Sequence, residues 1–155
     1  MNACVRQAPR KEREMTKTGR IVTDDSGIRK ILAGARTVAV VGLSPKPERD
    51  SNMVGRYLKE AGYRILPIRP AQKEILGERA YGSLDEIEEQ VDIVNVFRAS
   101  HMIMPHAEEA LRLKPKVFWM QLGIENREAA ELLAANGIDV VMNRCIKVDH
   151  DSLCR

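Results

Sequence analysis

The residue types able to do chemistry are concentrated in one short stretch. Residues 38–47 read VAVVGLSPKP, an apolar run that breaks at Gly42 into a loop carrying Ser44 and Lys46 ahead of a predicted helix. The chemistry this suits is anion binding. Glycine allows a sharp turn and close ligand approach, the amides that open a following helix favour negative charge, and Lys46 adds a mobile cation. Gly42, Leu43, Ser44 and Lys46 therefore read as a phosphate-binding loop. A dinucleotide fingerprint would need GxGxxG here and an acid about 20 residues later for a ribose hydroxyl. Instead Ser44 stands at the second glycine, and the next predicted strand, Arg64–Ile68, runs into Arg69 and Pro70. A carboxylate there would select a free ribose diol, whereas a guanidinium fits a phosphorylated ribose. The implied ligand carries a pyrophosphate and a further phosphate on its ribose. Coenzyme A and NADP both meet that description.

The remaining candidates are weaker. Cys145 is flanked by Arg144 and Lys147, and neighbouring cations favour a thiolate. That makes it a candidate redox thiol, able to form a mixed disulfide with a thiol ligand that reaches it; the alternative is a small buried residue. Cys4, Cys145 and Cys154 are odd in number and lack CxxC spacing, so neither a zinc site nor a disulfide framework is indicated. His101, His106 and His150 have no metal-ligand spacing and read as solvated or capping residues. Asp85, Glu86, Glu88 and Glu89 read as a solvated helix face. Asn95 lies inside an apolar strand and must find a core hydrogen bond. Arg98 ends that strand, where it faces either the crevice or a helix acid such as Glu108. No catalytic residue and no metal ligand is assigned.

Five alternating strand and helix segments must position these groups. The strands are predicted at residues 37–41, 64–68, 91–97, 116–120 and 139–142. Helices are predicted from Asp24 or Asp25 to near Gly34, from a Ser51 N-cap to Gly62, briefly over 83–89, over 105–113 with Pro105 in the first turn, and over 127–135. Such alternation with short links predicts a parallel sheet covered by helices on both faces, a three-layer α/β fold. Ligands of these sheets lie across the carboxyl ends of the strands. The tips are then residues 42–46, Arg69-Pro70, Phe97-Arg98, residues 121–124 and residues 143–145.

Composition narrows the classes. At 155 residues with 44% hydrophobic and 30% charged side chains, the chain suits one globular domain, here assigned to residues 23–150 with a short tail over 151–155. The net charge of +3 is uneven: residues 1–36 hold nine Lys/Arg against four Asp/Glu, and the remainder 16 against 18. The basic excess belongs to a polar arm over residues 1–22, expected to be disordered. With aromatics at 4%, a nucleic-acid platform is not expected. No apolar run approaches the roughly 20 residues of a membrane span, and no secretory segment is visible, which makes the cytoplasm the default compartment.

The pieces VAVVGLSPKP at 38–47, VFR at 96–98, WMQLGI at 119–124 and NRCIK at 143–147 occur in an order and spacing that resembles the small stand-alone CoA-binding-domain proteins. Those are Rossmann-like relatives of the nucleotide domain of the succinyl-CoA synthetase α subunit, and the resemblance covers about four fifths of the chain. It implies CoA or a short acyl-CoA over the first two tips, with Ser44 and Lys46 on the pyrophosphate and Arg69 close to the phosphorylated ribose. It also implies adenine near Phe97 and Arg98, and a ligand-facing fourth tip at Gln121 and Gly123, where the synthetase relatives carry an acid at the Gln121 position. Family members often have Asn at the position of Arg69 and Pro at that of Asp50. A binding or regulatory module is preferred over an enzyme. The alternatives are an NADP-dependent oxidoreductase domain and an interaction subunit with a vestigial crevice.

Overall fold

In a computed structural model, residues 18–154 are described. The elements in chain order are α1 (Asp25–Gly34), β1 (Thr37–Val41), α2 (Asp50–Glu60), β2 (Arg64–Ile68), a small hairpin of β3 (Glu74–Ile75) and β4 (Glu78–Arg79), then β5 (Ile93–Val96), α3 (Ile103–Leu113), β6 (Val117–Met120), α4 (Arg127–Ala135), β7 (Asp139–Val141) and α5 (Ile146–Leu153). The long strands form one parallel sheet ordered β2-β1-β5-β6-β7.

Alternation along each strand sorts the core into two layers. Val38 and Val40 of β1, with Trp119 of β6 and Val141 of β7, face Ile28 and Leu32 of α1, Val54 and Leu58 of α2 and Ile146 of α5. Ala39 and Val41, with Val94, Val96, Phe118 and Met120, face Ile103 and Ala107 of α3 and Ala130 and Leu133 of α4. A strand buried on both faces reads as a continuous apolar run, which is why β1 is TVAVV and β6 is VFWM. The parallel sheet is as the alternation predicts, and its Rossmann-like form is as the resemblance implies.

Several local expectations are corrected. Ser51 is not the N-cap of α2; the helix starts at Asp50, and Ser51 sits inside its first turn. The predicted 83–89 helix shrinks to a single turn of 3-10 helix over Leu84–Glu86, because Ile87 and Val91 leave the helical path to reach the core. α3 begins at Ile103, so Pro105 is its third residue. The tail beyond residue 150 continues α5 to Leu153. At the other end, the arm assigned to residues 1–22 falls mostly outside the described residues, but its last part is docked. Ile21 bridges Val140, the Val22 amide donates to the Val140 carbonyl at 2.8 Å, and Val22 is buried. This backbone pairing covers the free edge of β7, the kind of edge that native sheets protect. Among the described residues, no helix is long and apolar enough to cross a membrane.

Candidate functional site

The order in which the chain adds strands reverses between β1 and β5, and the crevice opens there, at the carboxyl ends of the parallel strands. Gly42 has a φ of 84°, and a Cβ on it would stand 2.7 Å from the Phe97 carbonyl oxygen. Glycine is thus required twice, by its backbone conformation and by the close approach of the two tips.

The loop after Gly42 is held from beneath by α2. The Ser44 amide donates to Ser51 Oγ at 2.9 Å, and Asn52 Nδ2 donates to the Ser44 carbonyl at 2.8 Å. Ser44 Oγ accepts the Lys46 amide at 3.1 Å, leaving its hydroxyl proton to donate elsewhere. The Arg49 amide closes a turn on the Lys46 carbonyl. Arg56 reinforces the loop through Asn52 Oδ1 and the Pro47 carbonyl.

Above this loop lies a polar cleft of about 730 Å³, lined by Gly42, Ser44, Lys46, Arg49, Arg69 and Gln72 among others. Asp50 and Phe97 connect it to a second, mainly apolar cleft of about 510 Å³, whose wall includes Met53, Val54, Leu122, Ile124, Cys145 and Val148. A smaller recess of about 280 Å³ sits between the tips of β2 and β5, against Arg69, Pro70, Ser83, Arg98, His106 and Glu109.

Arg64, Arg112, Arg144, Lys59 and Lys116 each pair with a carboxylate elsewhere. By contrast, Lys46, Arg69 and Arg98 have no carboxylate within ion-pair distance among the described residues, and the Glu108 pairing considered for Arg98 is not formed. Arg69 Nη1 reaches the Gly42 carbonyl at 3.4 Å, and Arg98 Nη2 lies 3.6 Å from Met102 Sδ. The Nε of Arg98 is buried with no hydrogen-bond partner.

Gly42, Ser44, Lys46, Arg69 and Phe97 thus share the polar cleft, while Arg98, Gln121 and Cys145 share the apolar one. Leu43 is placed differently, its side chain wholly buried against α2. Pro70 lines the smaller recess only. Gly123 lines none of the three; it turns with a φ of 85° and donates its amide to Asn143 Oδ1, tying the β6 and β7 tips together. Asn95 finds its core partner in Gln121, donating to Oε1 at 3.1 Å, and the same oxygen takes the Ile146 amide at 3.4 Å. Arg144 does not attend Cys145: its guanidinium is spent on Asp149, Asp25 and the Thr23 carbonyl. Lys147 is the cation left near the thiol, lying over the Tyr57 ring.

Of the histidines, His106 pairs with Glu109 at 3.0 Å, and His150 is hydrogen bonded to Tyr57 and set edge-on to Tyr57 and Tyr63. His150 is therefore a packing residue rather than a solvated one. The acids over 85–89 are solvated but not idle, since Arg112 and Arg64 pair with Asp85 and Glu89 and hold both carboxyls below their ordinary range. Wall residues not singled out from the sequence are Arg49, Met53, Gln72 and Val148, and His106, read as solvated or capping, lines the smaller recess. Several lie in the first turns of helices that leave a strand tip, a position that can be read once the tips are known.

The sequence matches the family described as CoA binding domain over residues 36–151. It is 46% identical over 123 residues to the uncharacterized protein YneT of Bacillus subtilis (strain 168), covering 79% of this chain and 91% of that one. A hypothetical protein from Pyrococcus horikoshii OT3 superposes with a TM-score of 0.83 at 38% identity, over 86% of this chain and 94% of the other. The acetate–CoA ligase [ADP-forming] I of Archaeoglobus fulgidus is 26% identical over 121 residues, which are 72% of this chain and 18% of that much longer protein.

Proposed function

Since the chain belongs to the CoA-binding-domain family, we propose that it binds coenzyme A or a short acyl-CoA across the β1 and β5 tips, as a non-catalytic or regulatory module. The observation that carries this reading is the set of unpaired cations Lys46, Arg69 and Arg98 around a crevice with one polar and one apolar half. Unpaired guanidinium and ammonium groups recognise phosphate through short charge-assisted hydrogen bonds. In this reading the Ser44 hydroxyl and Lys46 hold the pyrophosphate, and Arg69 meets the ribose phosphate. Phe97 and Arg98 flank the adenine, and the pantetheine arm crosses Asp50 towards Gln121 and Cys145. The ligase of Archaeoglobus fulgidus, named for a CoA reaction, is consistent with a CoA nucleotide on this fold.

Cys145 lies on the apolar wall and is partly exposed, so a bound CoA sulfur can reach it. With oxidised CoA, a Cys145 thiolate attacks one sulfur of the ligand disulfide, that bond breaks, and the released CoA thiolate takes up a proton. The product is a Cys145–CoA mixed disulfide. Intact-mass and peptide analysis after exposure to oxidised CoA should find the adduct on Cys145 and lose it in Cys145→Ser; labelling elsewhere, or none, removes this thiol role. For the ligand itself, calorimetric titration with CoA, acetyl-CoA, NADP and NAD is decisive. CoA binding supports the reading, NADP binding without CoA binding would make the crevice that of an oxidoreductase domain, and no binding would leave an interaction subunit.

A further inference from the structure

The apolar half of the crevice carries information about what the ligand bears on its sulfur. We propose that this half receives the hydrocarbon chain of an acyl thioester, so that the preferred ligand is an acyl-CoA with several methylenes rather than free CoA or acetyl-CoA. The inference rests on the reading that the crevice binds CoA, and it adds the class of group carried.

Three features lead to it. First, the large apolar side chains left exposed among the described residues are Met53, Met102, Leu122 and Val148. Met53, Leu122 and Val148 line this one cleft, and Met102 touches Arg98, which lines it too. Leu122 is 64% and Val148 58% exposed, so both stand in water at the mouth. Exposed apolar surface gathered at one place marks a site where an apolar partner is to be covered. Second, between the charged side chains of this cleft, Asp50, Arg98 and Lys147, lies an apolar wall of Val54, Phe97, Ala99 and Ile124, and the neutral polar side chain beside it is already occupied: Gln121 Oε1 accepts from Asn95 and from the Ile146 amide. That apolar stretch offers little to a polar group and much to a hydrocarbon. Third, the polarity runs in one direction. Asp50 and Phe97 join this half to the cationic one, while Leu122 follows β6 and Val148 sits one turn after Cys145 at the start of α5. A ligand with phosphates at one end and its sulfur near Cys145 would direct any acyl chain onto Leu122 and Val148.

A second copy of this chain or another protein could also cover such a mouth. Continuity with the cationic cleft favours a chain carried by the same ligand.

The test is a titration of the full chain, under reducing conditions, with CoA and its acetyl, butyryl, hexanoyl and octanoyl thioesters. A fully buried methylene is worth roughly fourfold in affinity, so in this open cleft each should tighten binding about two- to fourfold until the space is filled. Leu122→Ser and Val148→Ser, both at exposed positions, should flatten that slope. Equal affinity for every member would overturn the acyl inference and leave CoA binding standing. An unchanged slope in both variants would also overturn it, by sending the chain elsewhere. Binding by no member would overturn the underlying reading instead. Apolar-rim variants that change the oligomeric state without altering the slope would give this mouth to a protein partner and overturn the proposal.

Discussion

Removing the Ser51 hydroxyl should loosen the loop that carries Ser44 and Lys46. Ser44 and Ser51 are both buried, and the Ser44 amide has Ser51 Oγ as its acceptor at 2.9 Å. In Ser51→Ala that amide loses its partner, and a buried donor left unmade costs about 1–3 kcal/mol. Alanine returns roughly 0.5 kcal/mol through its better helix propensity inside α2. The net loss is about 1.5 kcal/mol, and for a chain of this size each kcal/mol moves Tm by about 2–4 °C. Ser51→Ala should therefore melt about 3–6 °C below the parent, and its urea midpoint should fall with an unchanged m value. Ser44→Ala is the control. It removes an acceptor from the Lys46 amide in a part-buried bond whose donor residue is exposed, so water can replace it and its loss should be smaller. A Ser51→Ala variant that melts with the parent, or a Ser44→Ala variant that is the more damaged, would refute the view that α2 holds the loop from beneath.

Gly42→Ala forces a side chain into a φ of 84° and against the Phe97 carbonyl at 2.7 Å; a stability loss of about 2–3 kcal/mol is expected in urea unfolding, and a loss below about 0.5 kcal/mol would show that the tips can part. Tyr63 donates to the Leu32 carbonyl at 2.6 Å, and burial, helped by Cys154 and Tyr57, pushes its phenol up to about 12. A raised pKa gives a contribution fully present below the ordinary tyrosine value and lost as pH climbs through the raised one. The stability advantage of the parent over Tyr63→Phe, about 1 kcal/mol at neutral pH, should thus fade between about pH 10 and 12; an advantage constant across that range would contradict the assignment. Burial alone would raise Asp92, but the amides of Arg36 and Thr37, with Lys116, outweigh it and hold the carboxyl below its ordinary range. That contribution is present above the ordinary carboxylate pKa and lost as pH falls through the depressed one, so the parent should lose stability below about pH 4 more steeply than Asp92→Ala in acid-urea titrations.

The strands were legible because burial on both faces leaves an apolar run that no exposed helix shares; β1 and β2 come out residue for residue as 37–41 and 64–68. α5 was not, because its sequence IKVDHDSL buries chiefly Ile146 and Asp149 and shows no apolar stripe. What holds it is Arg144, which ties Asp149 to Asp25 and the Thr23 carbonyl, a set of contacts spanning more than a hundred residues of sequence. The docking of Ile21 and Val22 on β7 is likewise non-local. In the crevice, glycine and lysine were legible from type and spacing. The burial of Leu43, the capture of Gln121 by Asn95 and the diversion of Arg144 each depend on a partner from another element.

The central claim is that the cationic half of the crevice holds the phosphates of a CoA nucleotide, with Arg69 on the ribose phosphate. It is tested most directly by titrating the parent and Arg69→Ala with CoA and with dephospho-CoA, which lacks that phosphate. Arg69→Ala should weaken CoA binding by about 1.5–3 kcal/mol, the worth of a hydrogen bond to a charged group, and leave dephospho-CoA binding nearly unchanged. Equal losses for the two ligands, or none for either, would contradict it.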